Sequence, residues 1–270
     1  MLELTDLYKT FNAGTLNEVK ALQGVSLTIA DGSFVCVLGT NGSGKSTLLN
    51  AVAGTFITDS GTILLNGRNI TRWPEHRRAC QIGRVFQNPF SGTAPSMSIA
   101  ENLSLAARRG KKRGLGWGLP APVIRELKIR IKDLNMGLED RLDSPIGKLS
   151  GGQRQALTLL MSSWLKPDLL LLDEHTAALD PKTAGKVIEL TERIVTEGGL
   201  TTLMVTHSMQ QAVNLGDRII MMHQGRIKFD FSGDEKRRLK VPDLLSLFDE
   251  IRRKDQIDTG VSELLIANYV

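Results

Sequence analysis

Alternating apolar positions open the chain: Leu2 and Leu4, then Val25, Leu27 and Ile29. This period of two predicts half-buried antiparallel strands between Leu2 and about Gly32. The unbroken apolar run Phe34-Val35-Cys36-Val37-Leu38 instead predicts a strand buried on both faces, and Leu48 to Ala53 a helix after it. Thr62 to Leu65 predicts a short strand ended by the Asn66-Gly67 hairpin signal. Ile82 to Phe86 predicts another, leading to Gln87 and broken off by Pro89. From about Ser98 to Lys148 the spacing is helical. It starts at Ser98-Ile99-Ala100-Glu101, an N-cap with Glu three positions on, and later places Ile124, Leu127, Ile131 and Leu134 on one face. Arg154 to Leu165 predicts a further helix, and Leu169 to Leu172 and Thr201 to Thr206 two buried strands. Pro242 suits the first turn of a last helix carrying Leu244, Leu247, Phe248 and Ile251 at helical spacing. That helix is expected to pack on its own domain, with contact to a second copy or a membrane surface as the alternatives.

Composition narrows the class. The chain has 270 residues, 41% hydrophobic and 23% charged, as in ordinary soluble proteins. No apolar run reaches the length of a membrane span, and the start, Met1-Leu2-Glu3-Leu4, has no signal-like core, so a cytoplasmic location is expected. The only cysteines are Cys36 and Cys80, too few for a disulfide framework or a cysteine metal site. A net charge of +5 permits anionic partners without selecting one. The basic run Arg108 to Arg113 (apart from Gly110) could be a solvated helix end, or could face anionic lipid or an acidic loop.

Candidate chemistry begins where the first buried strand ends. Gly39, Thr40, Asn41, Gly42, Ser43, Gly44, Lys45, Ser46 and Thr47 fit G-x4-G-K-[ST] between a strand and a helix, the setting a phosphate-binding loop requires. The glycines let successive N–H groups turn toward phosphate oxygens, with the helix dipole behind them. Lys45 supplies a charge for the β- and γ-phosphates, and Ser46 a hydroxyl for Mg²⁺. Ser150 caps the helix that follows Gly151-Gly152-Gln153, and the paired glycines are expected to admit a phosphate there. A second such helix start points to a nucleotide held by another copy of the protein. The run Leu169-Leu170-Leu171-Leu172-Asp173-Glu174 delivers two carboxylates to the end of a buried strand, Asp173 suited to Mg²⁺ and Glu174 to polarising a water. His207 follows the next strand, on the side where a γ-phosphate would lie.

In the order GTNGSGKST, Gln87, LSGGQ, LLLLDE, ALD and His207, these residues resemble the nucleotide-binding subunit of an ATP-binding cassette (ABC) transporter over about residues 1–230. The resemblance implies an α/β fold: a P-loop NTPase core of ABC ATPase type, an antiparallel β subdomain and an inserted α-helical subdomain at about 88–160. Residues 231–270 are then a short C-terminal helical extension. It implies ATP and Mg²⁺ as cofactors, bound in a head-to-tail dimer that sandwiches ATP between one copy's phosphate loop and Ser150, Gly151, Gly152 and Gln153 of the other. Gln87 would sense Mg²⁺ and link to the helical subdomain, which receives coupling helices from transmembrane permease subunits. Asp180 would communicate across the dimer, and His207 would contact the γ-phosphate. Phe11 matches the adenine-stacking aromatic, with Tyr8 a nearby competitor. A permease at the cytoplasmic face of the inner membrane, an extracytoplasmic solute-binding protein and an amino acid or similar solute are the implied setting. No nucleic acid partner is expected, and the alternative is a non-transport relative acting on ribosomes or DNA. The chain departs from many relatives at His175, where they carry Pro. It is expected to be a solvated turn histidine, or else a titrating group near the γ-phosphate that adds a pH dependence between about pH 6 and 7.

Overall fold

The computed structural model describes residues 1–111, 119–251 and 253. Lys112, Arg113, the loop residues 114–118, Arg252 and Lys254 lie outside the described residues.

The chain opens with strands β1 (Leu2–Phe11) and β2 (Val19–Ile29), paired antiparallel. Leu2, Leu4, Val25, Leu27 and Ile29 are all buried. Between Leu4 and Leu7 the register shifts at a bulge where Asp6 has φ 47°, so Leu7, not residue 6, is the next buried position. Strand β3 (Phe34–Gly39) is buried throughout and feeds helix α1 (Lys45–Ala53) through the phosphate-loop sequence. Then come β4 (Ser60–Leu65), β5 (Arg68–Asn69), the short helix α2 (Glu75–Arg78) and β6 (Ile82–Val85).

Between β6 and the next strand the described regular elements are all helical: α3 (Ile99–Ala107), α4 (Ala121–Lys132), a 3-10 turn (Ile146–Lys148) and α5 (Gly151–Ser163). Helix α3 starts with the expected capping box: Ser98 Oγ accepts from the Glu101 N–H while the Glu101 carboxylate accepts from the Ser98 N–H. The second half of the chain supplies β7 (Leu169–Asp173), α6 (Pro181–Gly198), β8 (Thr202–Val205), α7 (Met209–Leu215), β9 (Arg218–His223), β10 (Arg226–Ser232) and α8 (Gly233–Arg238). A last helix runs over 241–251.

Two sheets result. One is antiparallel, in the order β2-β1-β4-β5; the other runs β10-β9-β3-β8-β7-β6, parallel from β9 to β6 with β10 antiparallel at its edge. One apolar cluster, including Val35, Val37 and Leu49, joins the antiparallel sheet to α1 and one face of the parallel sheet. The other joins the opposite face, through Cys36, Leu38 and Met204, to Leu103, Leu127 and Ile131 of the helical insertion. Leu244, Phe248 and Ile251 belong to this second cluster, so the last helix spends its apolar face inside its own chain.

Candidate functional site

In a parallel sheet the ligand crevice lies beyond the carboxyl ends of the strands. Four adjacent strands end together here: β3 at the phosphate loop, β8 before His207, β7 at Asp173 and Glu174, and β6 before Gln87. Residues up to 168 positions apart are thereby brought to one edge.

The loop is rigidly supported. Gly44 caps α1 with φ 98° and no side-chain bond, leaving the first N–H groups of the helix to a ligand. A Cβ on Gly44 would lie 2.4 Å from the Ala21 carbonyl oxygen. The turn between β9 and β10 holds the other side: the Gly225 N–H donates to Ser43 O at 3.0 Å, and Gly225 O accepts from the Gln23 N–H at 2.8 Å. Ser43 Oγ is buried without a hydrogen-bond partner. Lys45 is buried, and its ammonium donates to the Gly39 and Thr40 carbonyls, both at 2.9 Å. Burial lowers its pKa, opposed by the charges of Glu174 and Asp173.

Glu174 sits opposite. Its side chain is 9% exposed, its backbone is left-handed at φ 43°, and its N–H is fixed to Val205 O at 2.9 Å. Such a conformation in a non-glycine residue costs of order 1–3 kcal/mol and persists only where the surroundings impose it. One carboxylate oxygen accepts from Gln87 Nε2 at 2.9 Å, and the other lies 2.5 Å from His207 Nε2. His207 is placed by Thr206, whose hydroxyl bonds to Gln211 Oε1 at 2.8 Å and accepts from the Ser208 N–H at 3.0 Å. The carboxyl of Asp173 is pushed up by burial, with Arg84 as the leading opposing charge.

Ser46 is exposed, and the Ser46 hydroxyl, an Asp173 carboxylate and the Gln87 Oε1 are all hard oxygens, a donor set that fits Mg²⁺. Among the described residues no cluster of three His, Cys, Asp or Glu could hold a metal.

Ser150 is exposed and caps α5 in a capping box with Gln153. Its oxygen accepts from the Gln153 N–H, so the hydroxyl proton remains to donate. No hydrogen bond among the described residues joins Ser150 to Gln153 with Gly39 to Thr47. Gly152 also has a packing role. A Cβ there would lie 1.9 Å from Thr183 Cγ2, so its missing side chain serves the packing of α5 on α6. Asp180 is exposed and caps α6 through the Thr183 N–H at 3.1 Å, which lowers its pKa.

His175 is neither a solvated turn residue nor a solvent-facing titrating group. It is 2% exposed and bonds through Nε2 to Thr191 Oγ1 at 2.9 Å. The Thr191 hydroxyl donates to Val187 O at 2.8 Å, so its oxygen accepts and Nε2 carries the proton. Burial lowers the pKa to about 4, which removes the expected inflection between pH 6 and 7. Phe11 packs edge-to-face on Phe56, 5.4 Å between centroids, and Lys9 lies 5.5 Å from both rings. Tyr8 turns to Gly24, whose would-be Cβ meets the Tyr8 hydroxyl at 2.9 Å.

Two features escaped the sequence. The last helix reaches the site: a cavity of about 320 Å³ is bounded by Gly39, Thr40, Asn41 and His207 on one side and Phe248 and Asp249 on the other. The run Ile70 to Arg78 conceals a buried arginine. Arg78, 1% exposed, donates to the carbonyls of Ala51 and Val52 at the end of α1 and to those of Thr71 and Trp73, at 2.7–3.0 Å.

Known proteins share this arrangement. The family described as "ABC transporter" matches residues 22–177. A tyrosine transport ATP-binding protein of Clostridioides difficile is 45% identical over 92% of this chain and 99% of its own length. A xylose/arabinose import ATP-binding protein of Sulfolobus acidocaldarius is 33% identical over 92% of this chain and 94% of its own. A dimeric ATP-binding cassette in a post-hydrolysis state, bound to ADP and Pi, superposes with a TM-score of 0.74 at 29% identity, covering 86% of this chain and 98% of that one. On these grounds the chain belongs to the ABC transporter family, as an ATP-binding subunit with the ABC ATPase fold.

Proposed function

We propose that this ATPase energises an importer of an amino acid or similar small organic solute. It would act as a homodimer beneath transmembrane permease subunits at the cytoplasmic face of the inner membrane, served by an extracytoplasmic solute-binding protein. The near full-length likeness to the tyrosine transport ATP-binding protein carries the solute class. Among the described residues no helix is long and apolar enough to cross a membrane, so membrane placement depends on the permease.

In this reading residues 1–230 form the ATPase domain, with the helical insertion at about 88–160, and 231–270 a short C-terminal extension whose helix over 241–251 packs on it. ATP lies with its adenine on Phe11 and its phosphates on the N–H groups of Gly39 to Thr47. Lys45 exchanges its two carbonyl partners for phosphate oxygens. Ser46, Asp173 and Gln87 would hold Mg²⁺, which neutralises charge on the phosphates. Ser150 to Gln153 of the second copy close over the nucleotide, and Asp180 of each copy lies near the closure. At rest both oxygens of Glu174 are occupied by Gln87 and His207. A γ-phosphate drawing His207 to itself frees one oxygen to accept a proton from the attacking water.

The permease would dock in a groove of about 710 Å³ between the sheet and the helical insertion, lined by His76, Arg84, Leu105, Arg109, Lys111 and Met161. This basic rim over an apolar floor suits an amphipathic segment with an acidic side chain. The transport reading is tested by deleting the protein in its organism and measuring uptake of radiolabelled amino acids. Loss of uptake, restored by wild type but not by Glu174→Gln, is expected. Unchanged uptake of every amino acid would overturn the solute class.

A further inference from the structure

Arg84 stands where the docking groove, the metal-facing carboxylate and the phosphate-loop helix meet. It lies on β6, three residues before Gln87, in register with Leu171 on β7. Its guanidinium donates to Asn50 Oδ1 in α1 at 2.6 Å and to Thr55 Oγ1 just beyond at 3.1 Å. Nη2 is 3.8 Å from Asp173 Oδ2, and both side chains are only 13% exposed. One face of the guanidinium covers the Phe86 ring at 4.4 Å, and Nε is buried without a partner. The main chain of the same residue is tied to the helix that Ser150 caps: Arg84 O accepts from Ser162 Oγ at 2.7 Å, and Ser162 O accepts from Arg109 Nη2 at 3.2 Å. Arg84, Ser162 and Arg109 all line the groove.

We propose that Arg84 is a positioning residue that aims the Asp173 carboxylate and conveys occupancy of the groove to it and to α1. This rests on the reading that a permease segment fills the groove.

The geometry supports adjustment more than simple bracing. At 3.8 Å the pair has charge attraction without a hydrogen bond, so a shift of about 1 Å in the guanidinium toward the carboxylate makes one. The Asn50 bond, at 2.6 Å, ties the guanidinium to α1, which carries Lys45 and Ser46, and the Thr55 bond ties it to the segment just beyond that helix. The spare Nε–H means one donor is available when the side chain turns. A lysine carries the charge but lacks the fork with which the guanidinium bonds Asn50 and Thr55 together.

Two measurements on Arg84→Met and Arg84→Lys test this. In the first, a fluorescent ATP analogue is titrated into the isolated protein in EDTA and in Mg²⁺. Arg84→Met is expected to bind as wild type does in EDTA and to lose about tenfold of the Mg²⁺ enhancement, the scale of outer-sphere ligand support; Arg84→Lys regains part of it. In the second, ATPase stimulation is measured in the complex purified with the permease. Both variants are expected to assemble, with stimulation reduced about fivefold or more. Equal loss of affinity with and without Mg²⁺ would make Arg84 a brace only and overturn the proposal, as would full stimulation of an assembled Arg84→Met complex. Failure of the wild type itself to assemble with a permease would overturn the groove reading and the proposal with it.

Discussion

His175 links a local departure from the family pattern to a measurable pH dependence of stability. Its imidazole is sealed between β7 and α6, donating to Thr191, with a pKa of about 4 against 6.5 for the ordinary side chain. The native state therefore resists protonation while the unfolded chain accepts a proton near pH 6.5, so stability falls as the pH drops from about 6.5 toward 4 and levels off below. A 2.5-unit difference corresponds to about 3 kcal/mol in full, of which about 2 kcal/mol is lost between pH 7 and pH 5. Urea unfolding of wild type and His175→Gln at both pH values isolates this one group, because every other titration is shared. Glutamine keeps a donor for Thr191 and cannot titrate. The stability advantage of wild type over the variant should shrink by about 2 kcal/mol from pH 7 to pH 5, a relative shift in urea midpoint of roughly 0.5 M. A difference that stays constant over that range would mean that His175 titrates alike in both states and would refute the burial argument.

Arg78→Leu leaves carbonyls at the end of α1 without their donor and should cost about 3 kcal/mol or more, lowering Tm by roughly 6–12 °C; a change under about 2 °C would show that water replaces the guanidinium. Gly44→Ala places a methyl against Ala21 O at a positive φ, so calorimetry should find weaker ATP binding as the loop is displaced, whereas wild-type affinity would mean the loop yields freely. Lys45→Ala should lower ATP affinity itself, by at least about tenfold from loss of a charge-assisted contact, with the fold intact by circular dichroism. An unchanged affinity would place the phosphates elsewhere.

How much was legible in the sequence follows from the range of the interactions. The phosphate loop, Ser98 and Ser150 caps, and the buried strands ending at Gly39 and Asp173 are written in contiguous residues, and they form as read. The convergence of Gln87, Glu174 and His207 followed from placing each after a parallel strand. What stayed hidden depends on contacts far along the chain. His175 looks like a turn residue until α6 supplies Thr191, and Gly152 shows no packing role until Thr183 closes on it. Arg78 ends the polar run Glu75 to Arg78 and Arg84 interrupts the apolar run Ile82 to Phe86, and only the end of α1 reveals the partners that hold each guanidinium. The last helix showed its apolar face in its spacing, but not that Phe248 would face Gly39 to Asn41 across a cavity.

Glu174 is proposed as the group that takes the proton from water, and Glu174→Gln tests this most directly. Its steady-state ATPase should fall by about a hundredfold or more while ATP still binds and drives a stable dimer in size-exclusion chromatography with Mg²⁺. Turnover within about tenfold of wild type would contradict the assignment and require another base at this edge of the sheet.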